Sequence, residues 1–178
     1  VMAMTTRRLT TYVTTETELR SAIAADTTII LSNSITVSAA GYDQSVFSIS
    51  GLNGVVIDGA GFTIGFASMA VGNGRLFYLY SAGVTMKDLT LENGYFGTDG
   101  TGLDHSLHSI GGLIYASSTT LSMRSCTLQN SKAEASGDDD ESNDLDASGG
   151  AIYSWGGTST FVLVTFLSNS VYAWCGDC

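Results

Sequence analysis

Three charged residues follow strand-forming segments at equivalent positions and could together bind an acidic sugar. Asp58, Lys87 and Arg124 each come directly after an Ile or Met that we expect to point inward. If their segments stack, the three side chains form one outward column. In this column, the Lys or Arg side chain could bind a uronic acid or abstract a proton from it. The alternative is a surface charge ladder, in which each pair contributes only about 0.2–1 kcal/mol.

Two long segments between strands carry the groups that could bind a metal ion. Residues 97–109 include His105 and His108, whose spacing matches no zinc motif. Residues 132–148 hold a cluster of carboxylates, which are ligands for Ca²⁺ but lack the alternating order of a calcium loop: Asp138, Asp139, Asp140, Glu141, Asp144 and Asp146. We predict two solvated loops and no required cofactor, and calcium at the acidic run is the alternative.

The cysteines divide into one inward residue and one closely spaced pair. Cys126 falls at an inward position, where a thiol acts as a small apolar group. Cys175 and Cys178 occur in Trp-Cys-Gly-Asp-Cys, which resembles a thioredoxin motif, but a redox role requires a helix in a βαβ unit. A local disulfide between them, or pairing with another chain, is the prediction for an oxidising compartment.

A repeated ten-residue pattern predicts the elements that position these groups. Residues 84–93 and 121–130 alternate apolar and polar side chains, break the alternation once and end at Asn, and residues 160–169 follow more loosely. Since alternate residues of a strand face one side, the break requires a corner between two short strands. A third strand precedes each pair, which gives three strands per coil. The closing residues are Asn93, Asn130 and Asn169, which lie 37 and 39 residues apart. This spacing predicts an internal asparagine ladder. The alternative is that they are ordinary turn residues.

The whole chain is predicted to be one all-β domain, a parallel β-helix of about five coils. Residues 15–25 form a capping α-helix, because Thr15-Glu16-Thr17-Glu18 is a capping box and an apolar stripe follows it. Residues 1–14 precede this cap, 26–170 form the coils with insertions at about 97–109 and 132–148, and 171–178 form a tail. The absence of proline among 178 residues suits stacked strands.

The net charge of −10 excludes several partners. Nucleic acid and anionic membrane surfaces both require a basic protein surface. The chain contains no apolar stretch long enough to insert into a membrane and no Asn-x-Ser/Thr acceptor, which leaves O-linked glycans on its Ser and Thr residues open. Its first residues lack the layout of a signal peptide, so a mature product and a fragment are the two interpretations.

Several short motifs resemble known families. Residues 111–114 and 149–152 read Gly-Gly-Leu-Ile and Gly-Gly-Ala-Ile, and residues 166–169 read Phe-Leu-Ser-Asn. These are similar to repeats of the polymorphic outer-membrane proteins, whose passengers are right-handed β-helices, although the earlier coils have Thr where the Phe is expected. Residues 18–31 resemble the first helix and strand of secreted pectate-lyase-like β-helix proteins. The resemblance implies a right-handed β-helix that is extracellular and adhesive or structural; the acidic motifs of hydrolysing β-helices are missing.

The fifth coil departs from the pattern and predicts an assembly surface. Counting back from Asn169 places Thr160 and Thr165 inward, and the segment between them is apolar on both faces. Strands apolar on both faces are normally covered on both, by the C-terminal segment or by another chain. A coil without a cap favours head-to-tail association into a filament. The predicted surface consists of Phe161, Val162, Leu163, Val164 and Trp174.

The sequence thus predicts a non-enzymatic extracellular or cell-surface protein that serves as a structural or adhesive subunit. Its expected partners are other copies of the same chain, with polysaccharide or O-linked glycans as further ligands. A β-helix that binds or cleaves polysaccharide, in the manner of a lyase, is the alternative function. The small number of coils leaves little length for a substrate groove, which favours the non-enzymatic interpretation.

Overall fold

The computed structural model describes residues 8–40, 44–70, 73–98, 106–137 and 144–175; within these, the side chains of 98, 106–108, 136–137, 144–146 and 174–175 are not described. It contains one helix, α1 at Glu16–Ala22. The strands of the first half are β1 Leu9–Val13, β2 Thr27–Leu31, β3 Ile35–Thr36, β4 Ser45–Ser50, β5 Val55–Asp58, β6 Thr63–Gly65, β7 Arg75–Tyr80, β8 Gly83–Lys87, β9 Thr90–Glu92 and β10 Tyr95–Thr98. Those of the second half are β11 Ser106–Ile110, β12 Ile114–Ser117, β13 Thr120–Arg124, β14 Thr127–Gln129, β15 Lys132–Gly137, β16 Asp144–Ser148, β17 Ile152–Trp155, β18 Thr158–Val162, β19 Thr165–Leu167 and β20 Ser170–Cys175.

Three parallel sheets form the walls of a parallel β-helix, as predicted. Sheet A stacks β1-β2-β5-β8-β13-β18, sheet B stacks β3-β6-β9-β14-β19, and sheet C stacks β4-β7-β12-β17. Each inner strand pairs with the strand one coil above and the strand one coil below, so equivalent positions of successive coils are neighbours in register. No helix among the described residues is long and apolar enough to cross a membrane.

The side chains predicted to face inward form a continuous core. Val84, Met86, Leu89 and Leu91 are all buried, as are their register partners in the next coil. The predicted corner lies where the alternation breaks, at Asp88 and Ser125, whose φ angles are +48° and +52°. One residue with left-handed backbone at the corner shifts the alternation of side chains, so the apolar residues after the corner point into the interior again. Cys126 is buried in this core, and desolvation raises the pKa of its thiol.

Helix α1 covers the N-terminal end of the β-helix. The capping box is present: the Thr15 hydroxyl accepts a hydrogen bond from Glu18 N at 3.2 Å, and Glu18 Oε2 accepts from Thr15 N at 3.3 Å. Hydrogen bonds from Thr14 lower the pKa of the Glu18 carboxyl. The helix is shorter than the predicted 15–25 because Ile23 already has extended backbone. Leu19 is buried in the core, so α1 and β1 form what we call the capped end.

The two segments predicted to be loops contain strands in their described parts. Strands β10, β15 and β20 form one parallel sheet and β11 and β16 form another, and the strands of the two sheets contact each other. We call this projection the flange. Its buried side chains include Ala133 and Ala135 of β15 and Tyr95 and Phe96 of β10. The predicted tail also differs, since residues up to Cys175 pair with β15 in the flange.

An aromatic and cationic contact fixes the flange against sheet C. The guanidinium carbon of Arg75 lies 3.5 Å from the ring centroid of Phe96 in the flange and 5.0 Å from that of Tyr115 in sheet C. Arg75 is buried, so this cation–π contact is screened from water and stronger than an exposed one.

Candidate binding surfaces

The three charged residues predicted to form a column are register neighbours on sheet A. Asp58 pairs with Lys87, and Lys87 pairs with Arg124. Lys87 Nζ lies 2.5 Å from Asp58 Oδ2, and Asp58 Oδ1 accepts a hydrogen bond from Ala60 N at 3.0 Å. Two of the three charges therefore neutralise each other, and only Arg124 makes no ion pair within the described chain. This arrangement resembles a surface ladder more than an acid–base pair.

In the fifth coil, the residue at the closing corner is not the asparagine that the predicted ladder requires. Asn93 and Asn130 have φ angles of +63° and +52°, and the next residue in this register is Ser168, with φ +52°, rather than Asn169. The side chains also bond to backbone groups: Asn93 Nδ2 donates to Phe66 O at 2.8 Å, and Asn169 Nδ2 donates to Leu128 O at 2.8 Å. Asn93 and Asn169 therefore tie successive coils together, whereas Asn130 is exposed.

The structure tests the predicted metal ligands only in part. His105, Asp138, Asp139, Asp140 and Glu141 lie outside the described residues. Strand pairing of β11 with β16 makes His108 the register partner of Asp146, and Ser106 that of Asp144. No group of three or more His, Cys, Asp or Glu that could hold a metal ion occurs among the residues that the structure describes. Calcium binding by the acidic run stays a prediction.

A charged cluster covers one face of the flange sheet. Lys132 Nζ lies 2.9 Å from Glu134 Oε2 and stands 5.7 Å and 5.0 Å from the ring centroids of Tyr95 and Tyr172. The Tyr95 hydroxyl donates a hydrogen bond to Glu134. Burial raises the pKa of the Glu134 carboxyl, but the hydrogen bond from Tyr95 and the charge of Lys132 outweigh it, so the pKa is lowered.

This lowered pKa predicts an acid-sensitive contribution to stability. Glu134 should stabilise the fold above its ordinary pKa of 4.5, and the stabilisation should disappear as the pH falls through the lower native value. We expect Glu134→Gln to lower the free energy of unfolding by up to about 1 kcal/mol at pH 7, and the difference to shrink below pH 4.5. Urea unfolding at pH 7, 5 and 3.5 measures it. A difference that grows on acidification would contradict the assignment.

Five aromatic side chains form a strip on the outer face of sheet C that the sequence analysis missed. The rings of Tyr78, Tyr115 and Tyr153 stack at 5.2 Å and 5.6 Å with nearly parallel planes. Tyr80 stacks beside Tyr78 at 6.4 Å, and both Tyr80 and Trp155 are exposed. The signal was present in the sequence, since these tyrosines recur at intervals of 37 and 38 residues.

The C-terminal end of the β-helix is open and apolar within the described chain. Phe161 pairs with Met123 and Phe166 with Leu128, so both phenylalanines continue inward columns. They are nevertheless 43% and 49% exposed, and their rings meet edge to face at 6.1 Å. Together with their neighbours they line a hollow of about 340 Å³, which we call the open end: Gly150, Ala151, Ile152, Ser154, Phe161, Phe166, Asn169 and Val171.

This register corrects the predicted parity of the fifth coil. Thr160 pairs with Ser122 and Thr165 with Thr127, so both threonines continue outward columns rather than pointing inward. The prediction counted back from Asn169 instead of Ser168, and a shift of one residue exchanges the two faces of a strand. Of the predicted assembly surface, Phe161 thus belongs to the interior column, and Val164 is half-buried against the core.

Three outward positions of the fifth coil are apolar where the coils below are polar. Val162 continues the column of Lys87 and Arg124, and Leu167 pairs with Gln129. Leu163 lies at the corner after Val162 and is 77% exposed. We call these three residues, Val162, Leu163 and Leu167, the rim. Trp174 lies in β20 as the register partner of Ser136, with its side chain not described.

The predicted disulfide falls at the edge of the described chain. Cys175 is the last residue of β20, and Cys178 lies outside the described residues. Their pairing stays a prediction. Cys126 is a free thiol, consistent with its inward position.

Comparison with known protein families identifies a match. The family model of the pectate lyase-like adhesive domain matches residues 10–122, which run from β1 into β13. Searches of curated proteins and of solved structures found no match. The match agrees with the resemblance of residues 18–31 to pectate-lyase-like β-helix proteins, whereas the resemblance to polymorphic outer-membrane proteins is not confirmed.

Proposed function

We propose that this chain, which belongs to the pectate lyase-like adhesive domain family, is a non-enzymatic adhesive subunit that associates with other copies of itself through the open end and the rim. The family match covers 10–122, so the capped end and the coils up to β13 carry the family assignment. A secreted or cell-surface location follows from the adhesive family and is part of the proposal. The open end is the feature that we assign to assembly.

The exposed rim is the observation that carries this proposal. A further coil stacked on the open end would cover Phe161 and Phe166, but it would leave the outward side chains of the fifth coil in water. Val162, Leu163 and Leu167 are outward, exposed and apolar. Exposed apolar surface of this kind is typical of contact with another protein.

Leu163 adds a conformational argument. Its φ of +54° lies in the left-handed region, which costs an ordinary L-residue about 1–2 kcal/mol and which Asp or Ser occupies in the coils below. An exposed leucine in this conformation contributes nothing to the core that would offset the strain. A role in contact with a partner is a physical reason for it to be there.

Leu163→Asn should therefore separate stability from association. Asparagine tolerates left-handed backbone, so we expect the monomer to gain about 0.5–1 kcal/mol in unfolding free energy. The loss of an exposed apolar contact should weaken association about tenfold. Chemical denaturation and light scattering measure the two effects. A variant that is both less stable and unchanged in association would contradict the proposal.

Light scattering on the protein over a range of concentrations tests the proposed function itself. We expect the average mass to rise with concentration, and the Met69→Asp variant to behave in the same way. Met69 is an exposed apolar residue outside the open end, so it controls for the loss of an apolar side chain and the gain of a charge. A single chain mass at every concentration would remove the assembly claim.

The aromatic strip favours glycan binding as a second candidate function. Sugar rings pack against exposed aromatic side chains, and Trp155 is 64% exposed. The quenching or shift of tryptophan fluorescence on titration with neutral and uronate-rich polysaccharides tests it, with Trp155→Ala as the variant. Turnover of a uronate polymer, with or without Ca²⁺, that is lost in Lys87→Ala or Arg124→Ala would instead support the lyase alternative.

A further inference from the structure

We infer that Tyr78 and Tyr115 form a site of oxidative cross-linking, at which a carbon–carbon bond between the two rings joins successive coils of the same chain as dityrosine. The oxidant is hydrogen peroxide, used through a haem peroxidase. This inference concerns the inner coils of sheet C and is independent of association through the open end.

The two strands that carry these tyrosines hold the rings in register. Tyr78 lies in β7 and Tyr115 in β12, and the two residues are direct partners in the parallel pairing. Both strands are inner strands of sheet C, since β7 also pairs with β4 and β12 also pairs with β17. Outward side chains at partnered positions of parallel strands point in the same direction, so the strands present the two phenols side by side.

The ring geometry brings together the carbon atoms that would bond. The ring centroids of Tyr78 and Tyr115 lie 5.2 Å apart, and the ring planes differ by 3°. Phenols couple at the ring carbons next to the hydroxyl, and in two parallel rings with the same direction these carbons are separated by about the centroid distance. Rotation about the side-chain torsions brings them closer. Tyr153 continues the stack, but its ring is farther from Tyr115, at 5.6 Å, and tilted by 12°.

The pair is accessible to an oxidant. Tyr78 and Tyr115 are both partly exposed on the outer face of sheet C, and Tyr80, which stacks beside Tyr78 at 6.4 Å, is exposed. Phenol is among the most readily oxidised side-chain groups, and its radical is spread onto the ring carbons next to the hydroxyl. Two radicals held in one stack react with each other in preference to another chain, because their proximity replaces a bimolecular encounter.

The reaction balances with one molecule of hydrogen peroxide. Each phenol loses one proton and one electron, and the peroxide takes both hydrogen atoms and is reduced to two molecules of water. The two radicals form one bond between ring carbons, and the hydrogen on each of these carbons moves to the oxygen, which restores both phenols. The product closes a loop between residues that are 37 positions apart, and such a link restricts the unfolded chain as a disulfide does.

Peroxidase treatment of the natural chain tests the site. Dilute protein is treated with hydrogen peroxide and a haem peroxidase, digested with trypsin and analysed by mass spectrometry. Cleavage after Lys87 separates Tyr78 and Tyr115, so the cross-link appears as two joined peptides that lack two hydrogen atoms. We expect this link in the monomer fraction, with the fluorescence of dityrosine and a rise of about 5 °C or more in the melting temperature.

Two matched variants, Tyr115→Phe and Tyr153→Phe, keep the ring stack while each removes one phenol. Tyr115→Phe should reduce the joined peptides by at least about tenfold, whereas Tyr153→Phe should leave them unchanged. Joined peptides that persist in Tyr115→Phe, a link from Tyr115 to Tyr153 alone, or dityrosine found only between chains would overturn the inference. Oxidation of the natural chain without a link inside the monomer would overturn it as well. None of these outcomes bears on association through the open end.

Discussion

Replacement of both Phe161 and Phe166 by Asp is expected to weaken self-association by at least about 100-fold. Each ring is partly exposed in the single chain and becomes buried on contact, and full burial of a phenylalanine contributes about 1.5–3 kcal/mol. Each 1.4 kcal/mol corresponds to about a tenfold change in affinity, and two carboxylates facing each partner add a desolvation penalty.

The double variant should remain folded because both side chains lie at the open end of the core rather than inside it. Circular dichroism and thermal unfolding provide that control, and Met69→Asp provides the matched change away from the surface. A double variant that associates with natural affinity would place the contact elsewhere on the molecule.

Gly112→Ala is expected to lower the free energy of unfolding by about 3 kcal/mol or more. A Cβ at this position would lie 2.2 Å from Gly150 O and 2.8 Å from Lys132 O. Both atoms belong to backbone, and Lys132 lies in β15, which pairs with β10 and β20, so relief requires the backbone of the coil or the flange to shift.

Gly51→Ala is the matched control for this substitution. Gly51 has a φ of +66° but no heavy atom within 4 Å of an added Cβ, so only the backbone penalty of about 1–2 kcal/mol applies. Urea unfolding of both variants measures the difference. Equal losses would show that the close approach between coils is not what requires glycine at position 112.

The same close approach explains the Gly-Gly motifs that suggested a family resemblance. A Cβ at Gly94 would meet Gly112 O at 2.1 Å, and one at Gly150 would meet Ser170 O at 2.4 Å. These positions lie where the chain leaves the coil for the flange and returns. The Ser131 hydroxyl donates to Gly150 O at 2.7 Å and so ties the two paths together. Glycine is therefore required at the positions where the chain passes between the coil and the flange.

The coils could be predicted because their signal is local. Alternation around Met86 and Met123 fixes which side chains face inward, and the single break fixes the corner at Asp88 and Ser125. The capping box at Thr15 is equally local, and the structure confirms it. In each case neighbours in sequence determine the geometry.

The flange and the true register of the fifth coil could not be predicted from local patterns. Strand β15 has Ala133 and Ala135 where a strand usually has larger apolar residues, and it is held by pairing with β10 and β20. In the fifth coil, Asn169 resembles the closing residue of the other coils, but Ser168 occupies that position. Only the pairing with β14 reveals the one-residue shift.

Hydrogen–deuterium exchange of the natural chain at low and high concentration tests the central claim most directly. Strand β18 is the edge strand of sheet A, so amides of Thr158–Val162 that face away from β13 should exchange quickly in the monomer. We predict that these amides, and those of Thr165–Leu167, become protected as concentration rises. Exchange at the open end that is independent of concentration would contradict the account.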